Sequence, residues 1–201
     1  MLVTAVAVFV GMIAGGLLPP AAHRFARPNV RWPGLLVAGV GLIVIGTHVD
    51  GDAGIRMVIS GYAVLITGVC ANFHMVGMGV LLVGLGLNAL VMLLNGAMPV
   101  HRAALEEAGV VAKGEVVSLS GHRSLEHSST KLSVLDDRIP LPAGGQVVSF
   151  GDLVLAVGLA DATAHITRRR RRDMLAEVAA EAELAEAATA ARHPAHLVGT
   201  G

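Results

Sequence analysis

Asp161 and His165 stand four residues apart near the end of the apolar run Val147–Ile166. On a helix that spacing sets a carboxylate and an imidazole on one face, one turn apart. Such a pair can pass a proton or hold an ion. In a hydrocarbon setting an ionisable side chain is costly and points to a function with a partner. If a helix runs from Ser149 to Arg168, Asp161 lies ~10 Å from its basic end, and Thr67 of an earlier apolar segment falls at similar depth. Three fates are open to Asp161: neutral by protonation in a low dielectric, paired with protonated His165, or seated among lipid headgroups. Leu153–Ala160 is a short charge-free core, which favours the headgroups.

A second set, His122, His127, Asp136, Asp137 and Asp152, lies between or beside the apolar runs. Imidazole and carboxylate oxygen can ligate a metal. No two of these residues show a diagnostic ligand spacing such as His-Glu-x-x-His, so no metal or other cofactor is expected, and polar residues on a wet surface are the simpler reading. Asp152 has a further role open to it. Ser149 followed three residues later by an acid matches a helix capping box, which satisfies free backbone N–H groups. Asn88, alone in an apolar run, is suited to bond a neighbouring helix; a substrate contact is the sharper alternative.

Other chemistries are poorly supported. The one cysteine, Cys70, allows neither an intrachain disulfide nor a thiolate cluster. There is no phosphate-cradling Gly-x-x-x-x-Gly-Lys, no nucleophile elbow and no Cys-x-x-Cys. The residues therefore lean away from an enzyme. Net charge is zero, so a nucleic-acid partner is not expected. Arg168, Arg169, Arg170, Arg171 and Arg172 form the most basic run. They can hold anionic lipid headgroups at about 1 kcal/mol each, or serve simply as a topology anchor.

The elements that must position these residues are apolar helices. The 201-residue chain is 54% hydrophobic and only 15% charged, against about 25% in soluble domains. From Met1 to Leu94 the only cations are Arg24, Arg27, Arg31 and Arg56, and the only acids Asp50 and Asp52. A membrane span needs roughly 20 mainly apolar residues. Leu2–Leu18, Pro33–Val49, Arg56–Phe73 and Met75–Leu94 are four candidates, and Val147–Ile166 is the fifth. Ile55–Leu94 as one helix would be ~60 Å long, twice the hydrocarbon thickness. It must fold back at Asn72-Phe73-His74. Residues 1–20 lack the basic start of a signal peptide and are read as an uncleaved span.

Charge sets the orientation. Arg24, Arg27 and Arg31 place the first connection in the cytoplasm by the positive-inside rule. Counting forward, Gly96–Gln146 is extracytoplasmic, and the last span returns inward to meet the arginine run. Small-residue ridges, Ala7/Gly11/Gly15, Ala63/Thr67/Ala71 and Ala156/Ala160/Ala164, suit close packing in lipid. In the loop segment, a short helix opened by Pro99 is expected through His101–Ala108. Val110–Leu119 has β character, Gly121–Thr130 reads as loop, Lys131–Leu135 as a short strand, and Ile139–Pro142 as extended. Some fifty residues make a small core, so the segment should lean on the span ends. Asp173–Arg192 is Ala/Glu-rich and helical, with a thin stripe of Met174, Leu175, Val178 and Leu184, and His193–Gly201 should fray.

Several motifs resemble the small bacterial multi-pass proteins of domain-of-unknown-function family 5317. They are Gly15-Gly16, the basic stretch up to Arg31-Trp32, Asn95-Gly96-Ala97-Met98-Pro99-Val100, and His127 with Thr130-Lys131-Leu132. Asp137-Arg138-Ile139-Pro140-Leu141-Pro142 and Ser149-Phe150-Gly151-Asp152 complete the set, over roughly residues 1–160. Asp136-Asp137 stands where Gly-Asp is expected. The polar end of the last span and the Arg and Ala/Glu tail are departures. The resemblance implies an integral membrane protein and no particular activity.

The expected architecture is an all-α membrane protein: a five-span helical bundle with a small mixed extracytoplasmic loop domain and a cytoplasmic C-terminal helix. Residues 1–95 form a four-span unit, 96–146 the loop, 147–167 the fifth span and 168–201 the basic stop and tail. The expected role is an accessory or scaffold protein, as a homo-oligomer or beside a membrane-protein partner. The alternative is a small transporter or proton-coupled channel using Asp161 and His165.

Overall fold

A computed structural model describes residues 2–17, 30–117, 119 and 121–192. Arg24 and Arg27 of the first connection and the tail His193–Gly201 lie outside the described residues. The chain is mostly helical. Its principal helices are α1 (Leu2–Leu17), α2 (Pro33–Gly46), α3 (Gly51–Ala71), α4 (Met78–Asn95), α5 (Arg102–Glu107) and α6 (Phe150–Arg192). Three of them, α3, α4 and α6, are long and apolar enough to cross a membrane.

Within the described residues α1 has 16 residues, and α2, with 14, is shorter than the expected span. The limit on α2 is local. Trp32 is left-handed at φ 50, the α region is disfavoured before Pro33, and α2 can begin only at that proline. At its far end Thr47 and His48 turn back on Val44 O. The fold-back between α3 and α4 falls at Asn72–Gly77, where the sequence placed it.

The helices pack in the spatial order α1, α6, α4, α3, α2. Small residues set the approach. A Cβ on Gly15 would stand 2.5 Å from Ala164 O, so the first and third ridges meet, α1 on α6. The ridge Ala63/Thr67/Ala71 behaves otherwise: Ala63 and Thr67 are exposed, and α3 uses Gly54 and Gly61 against α2 instead.

Residues 96–149 build a cap over one end of the bundle. Strand β1 (Met98–Val100) pairs in parallel with β2 (Arg123–Leu125), and β3 (Ile139–Leu141) pairs antiparallel with β4 (Gln146–Val148). Asp137 joins the two pairs: it bridges Val100, its N–H bonds Pro99 O, and the Arg138 N–H bonds Val148 O. The cap has a core of Val100, Ala104, Leu105, Ala108 and Val147. It also leans on the bundle, with Met98 and Leu135 packed against Val58, Val91 and Met92.

Local expectations for the cap are corrected in four places. Pro99 sits in β1, and the helix opens only after His101. The described part of Val110–Leu119 contains no strand, whereas Gly121–Thr130 contains β2. Lys131–Leu135 is a turn closing in a 3₁₀ turn, with Leu132 left-handed. Each of these depends on tertiary pairing that short-range pattern does not encode.

The last span and the tail helix are one element. Helix α6 has 43 residues, ~64 Å and about twice a hydrocarbon thickness. Met174, Leu175, Val178 and Leu184 are all exposed on it. On a continuous helix Leu175 and Leu184 point ~180° apart, so these four side chains do not form a single stripe.

Candidate functional site: a polar cluster between cap and bundle

Ser149 and Asp152 close the capping box at the head of α6. The Asp152 N–H donates to Ser149 Oγ at 3.0 Å, and the Ser149 N–H donates to Asp152 Oδ2 at 3.2 Å. Asn88, 2% exposed on α4, completes the arrangement. Its Nδ2 donates to Asp152 Oδ1 at 2.7 Å, and its Oδ1 accepts from Ser149 Oγ at 3.0 Å. The Tyr62 side chain on α3 lies beside Asn88. Gly151 makes the approach possible, because a Cβ there would collide with Asn88 Oδ1. Each element of Ser149-x-Gly151-Asp152 thus has a use: two caps and a gap for an amide. Asn88 lies seven residues before the end of α4, so the cluster reaches ~10 Å into the bundle.

The cap supplies the opposite wall. Asp137, 1% exposed, lies 2.9 Å from Arg123 Nη2, which also donates to Val147 O at 3.3 Å. The Arg123–Asp137 contact is an ion pair without hydrogen-bond alignment, and Asp137 Oδ2 has no aligned donor. Burial pushes the Asp137 carboxyl up to about 7; Arg123 opposes this, while Asp152 and Asp136 add to it. His122 moves the other way. Burial and the Arg123 charge lower it, against the pull of Asp152, and so favour the neutral ring; its buried Nδ1 has no hydrogen-bond partner. Buried polar atoms are normally paired. Three buried polar atoms gather here, on His122, Arg123 and Asp137, without an aligned hydrogen-bond partner.

Asp136 points elsewhere. Its Oδ1 accepts from Arg138 Nε at 3.0 Å; Arg138 Nη2 pairs with Glu126 at 2.8 Å, and Glu126 with His101 at 2.6 Å. Burial raises the Asp136 carboxyl, against the pull of Arg138. The adjacent acids therefore serve two networks on opposite sides of one strand-like segment.

Asn88, Asp137 and Asp152 are thus brought into one neighbourhood. The other sequence candidates are not part of it. His127 shapes its own loop, with Nδ1 2.5 Å from Leu125 O and its N–H donating to Thr130. Thr67 is exposed and donates to Ala63 O on its own helix at 2.8 Å. Asp161 and His165 lie 3.1 Å apart as an i,i+4 pair, both half-exposed, ~14 Å along α6 from Asp152. In the arginine run, Arg171 donates to Gly16 O, Arg169 and Arg172 lie near Asp173, and Arg168 Nε is buried without a partner.

Sequence reasoning missed Tyr62 and Arg123. Tyr62 was open to discovery as the only tyrosine, placed inside an apolar span. Arg123 had one indirect signal: a buried carboxylate requires a cation. Among the described residues no three His, Cys, Asp or Glu side chains are grouped to hold a metal ion.

The described chain is thus a mostly helical protein with three membrane-capable helices, closed at one end by a cap through a buried ionic cluster. Residues 24–162 match the family of unknown function DUF5317, and the chain belongs to that family. The matched range begins after Gly15-Gly16. No curated protein and no solved structure matches the chain.

Proposed function

We propose that the chain is an integral membrane protein that crosses the bilayer five times and acts as an accessory or scaffold protein. In this reading the N-terminus and the cap are outside, and the arginine run and α6 extension are cytoplasmic. Its partner is another membrane protein or a second copy. The observation that carries the reading is the continuity of α6. One helix starts in the capping box that binds Asn88 and ends in a largely exposed extension. It ties the cap to the opposite end of the bundle without a joint. The arginine run sits where the apolar part ends and can rest on anionic headgroups.

Two measurements test this. Reporters fused after Val100 and after Arg172 should light up on opposite sides of the membrane; activity on the same side rejects the topology. Crosslinking in membranes should recover a protein neighbour through the α6 extension, and recovery of lipid alone counts against the scaffold. The transporter reading rests on the Asp161–His165 contact. Unchanged solute or proton flux after Asp161→Asn and His165→Gln removes it.

A further inference from the structure

At the end of the bundle away from the cap, Arg31, Trp32, Thr67, Cys70 and Ala71 line an open groove of about 660 Å³. Sites of about 300–1,000 Å³ accommodate organic ligands. The floor is a side of α3 on which, among the described residues, Thr67 and Cys70 are exposed. The Thr67 hydroxyl is spent on Ala63 O, which leaves that floor with little polarity. The rim is different. It carries a guanidinium and an indole, and Trp32 is 67% exposed.

The rim is held by design of the backbone. Asn72 is fully buried and grips both polar groups of Arg31. Its Oδ1 accepts from the Arg31 N–H at 2.7 Å, and its Nδ2 donates to Arg31 O and to Gly68 O, each at 2.8 Å. Trp32 follows in the left-handed region, a conformation a tryptophan rarely adopts. A strained residue held by a buried clamp points to a job for its side chain. Among the described residues no carboxylate pairs with Arg31.

We propose that this groove holds one phospholipid with an anionic headgroup. Arg31 meets the phosphate and Trp32 lies at the level of the glycerol. One acyl chain runs along Thr67, Cys70 and Ala71. The assignment follows from charge and depth. The groove lies where α3, a helix of membrane-crossing length, ends and α2 begins, the level at which tryptophan and basic side chains meet headgroups. This site is separate from the arginine run of α6. It rests on the membrane reading above but not on which side the cap lies.

Cys70 is the chain's single cysteine, is exposed, and lines the groove, so it reports occupancy directly. The full chain is placed in discs of phosphatidylcholine, with or without phosphatidylglycerol, and the alkylation rate of Cys70 is measured. Phosphatidylglycerol should slow alkylation roughly fivefold, the factor one arginine's attraction to an anionic surface supplies. Arg31→Gln should abolish the protection while leaving the fold intact, because Asn72 grips only the backbone. Arg170→Gln should keep it. Native mass spectrometry should find one phosphatidylglycerol retained by the parent and lost from Arg31→Gln. Equal rates in the two lipids, or loss of protection in Arg170→Gln but not Arg31→Gln, would overturn the site. Protection by inorganic phosphate in phosphatidylcholine discs would overturn the lipid assignment. Failure of the protein to resist alkaline extraction from membranes would instead overturn the membrane reading itself.

Discussion

Asp137 and His122 give the cap opposite responses to pH. A free Asp has a pKa near 3.8 and the folded one about 7, so the native state holds a proton that the unfolded chain has lost. That contribution is full below the unfolded value and is lost as pH rises through about 7. His122 is lowered from 6.5 in the folded state, so its contribution is lost as pH falls below 6.5. The two groups therefore work against each other on the acid side of neutrality: as pH rises from about 4 to about 7 Asp137 lowers thermal stability in detergent and His122 raises it, and above that range neither contributes a further change. Between about pH 4 and 7, Asp137→Asn should leave a Tm that rises more with pH and His122→Gln one that falls more; a Tm profile unchanged in both variants refutes this balance. Asn88→Ala is a different case. It strips partners from Ser149 and Asp152 and should cost about 1–3 kcal/mol by thermal or denaturant unfolding. Sequence spacing disclosed the Ser149–Asp152 box, because a capping box is local. It could not disclose that Asn88 completes it with Tyr62 alongside, since they come from α4 and α3, 61 and 87 residues before Ser149.

At the scale of elements, helix contacts depend on where a side chain is missing. The α1–α6 seam gives a controlled comparison. Gly15→Leu drives a side chain into the Ala164 backbone, whereas a Cβ on neighbouring Gly16 meets nothing within 4 Å. Gly15→Leu should lower stability by at least about 1–3 kcal/mol, and Gly16→Leu should stay within about 0.5 kcal/mol. Comparable melting of the two variants would show that the seam does not matter. The apolar helices themselves were readable from run length and hydropathy. Their pairing was not, because a ridge such as Ala63/Thr67/Ala71 has the same pattern as the ridges that do pack. The continuity of α6 was hidden for a related reason. A sequence shows a change of solvent at Arg168–Arg172, and a helix can pass through such a change without breaking.

For the whole molecule, the cap is too small to depend only on itself, and the structure divides its apolar residues between two centres. One centre is internal, around Leu105; the other is shared with α3 and α4 through Met98 and Leu135. Asn95 reinforces the junction by donating to Lys131 O and accepting from the Lys131 N–H. The motif Asn95-Gly96-x-Met98-Pro99-Val100 is therefore a hinge pinned on both sides: an amide tether, a left-handed glycine at φ 75, a methionine seated on the bundle and a strand. Asn95→Ala should loosen residues 131–135 toward protease before it affects α4, measured as faster cleavage at Lys131 without loss of helical signal. An unchanged cleavage rate would assign the tether no role.

The seam between α1 and α6 also has a bearing on biogenesis. Its two sides are separated by 132 residues, Leu18 to Ser149. At a synthesis rate of roughly 5–20 residues per second, Gly11 and Gly15 emerge on the order of ten seconds before the alanines they fit. During that interval the nascent first helix presents a bare notch, and the newborn protein is most exposed to quality-control proteases until its closing helix arrives.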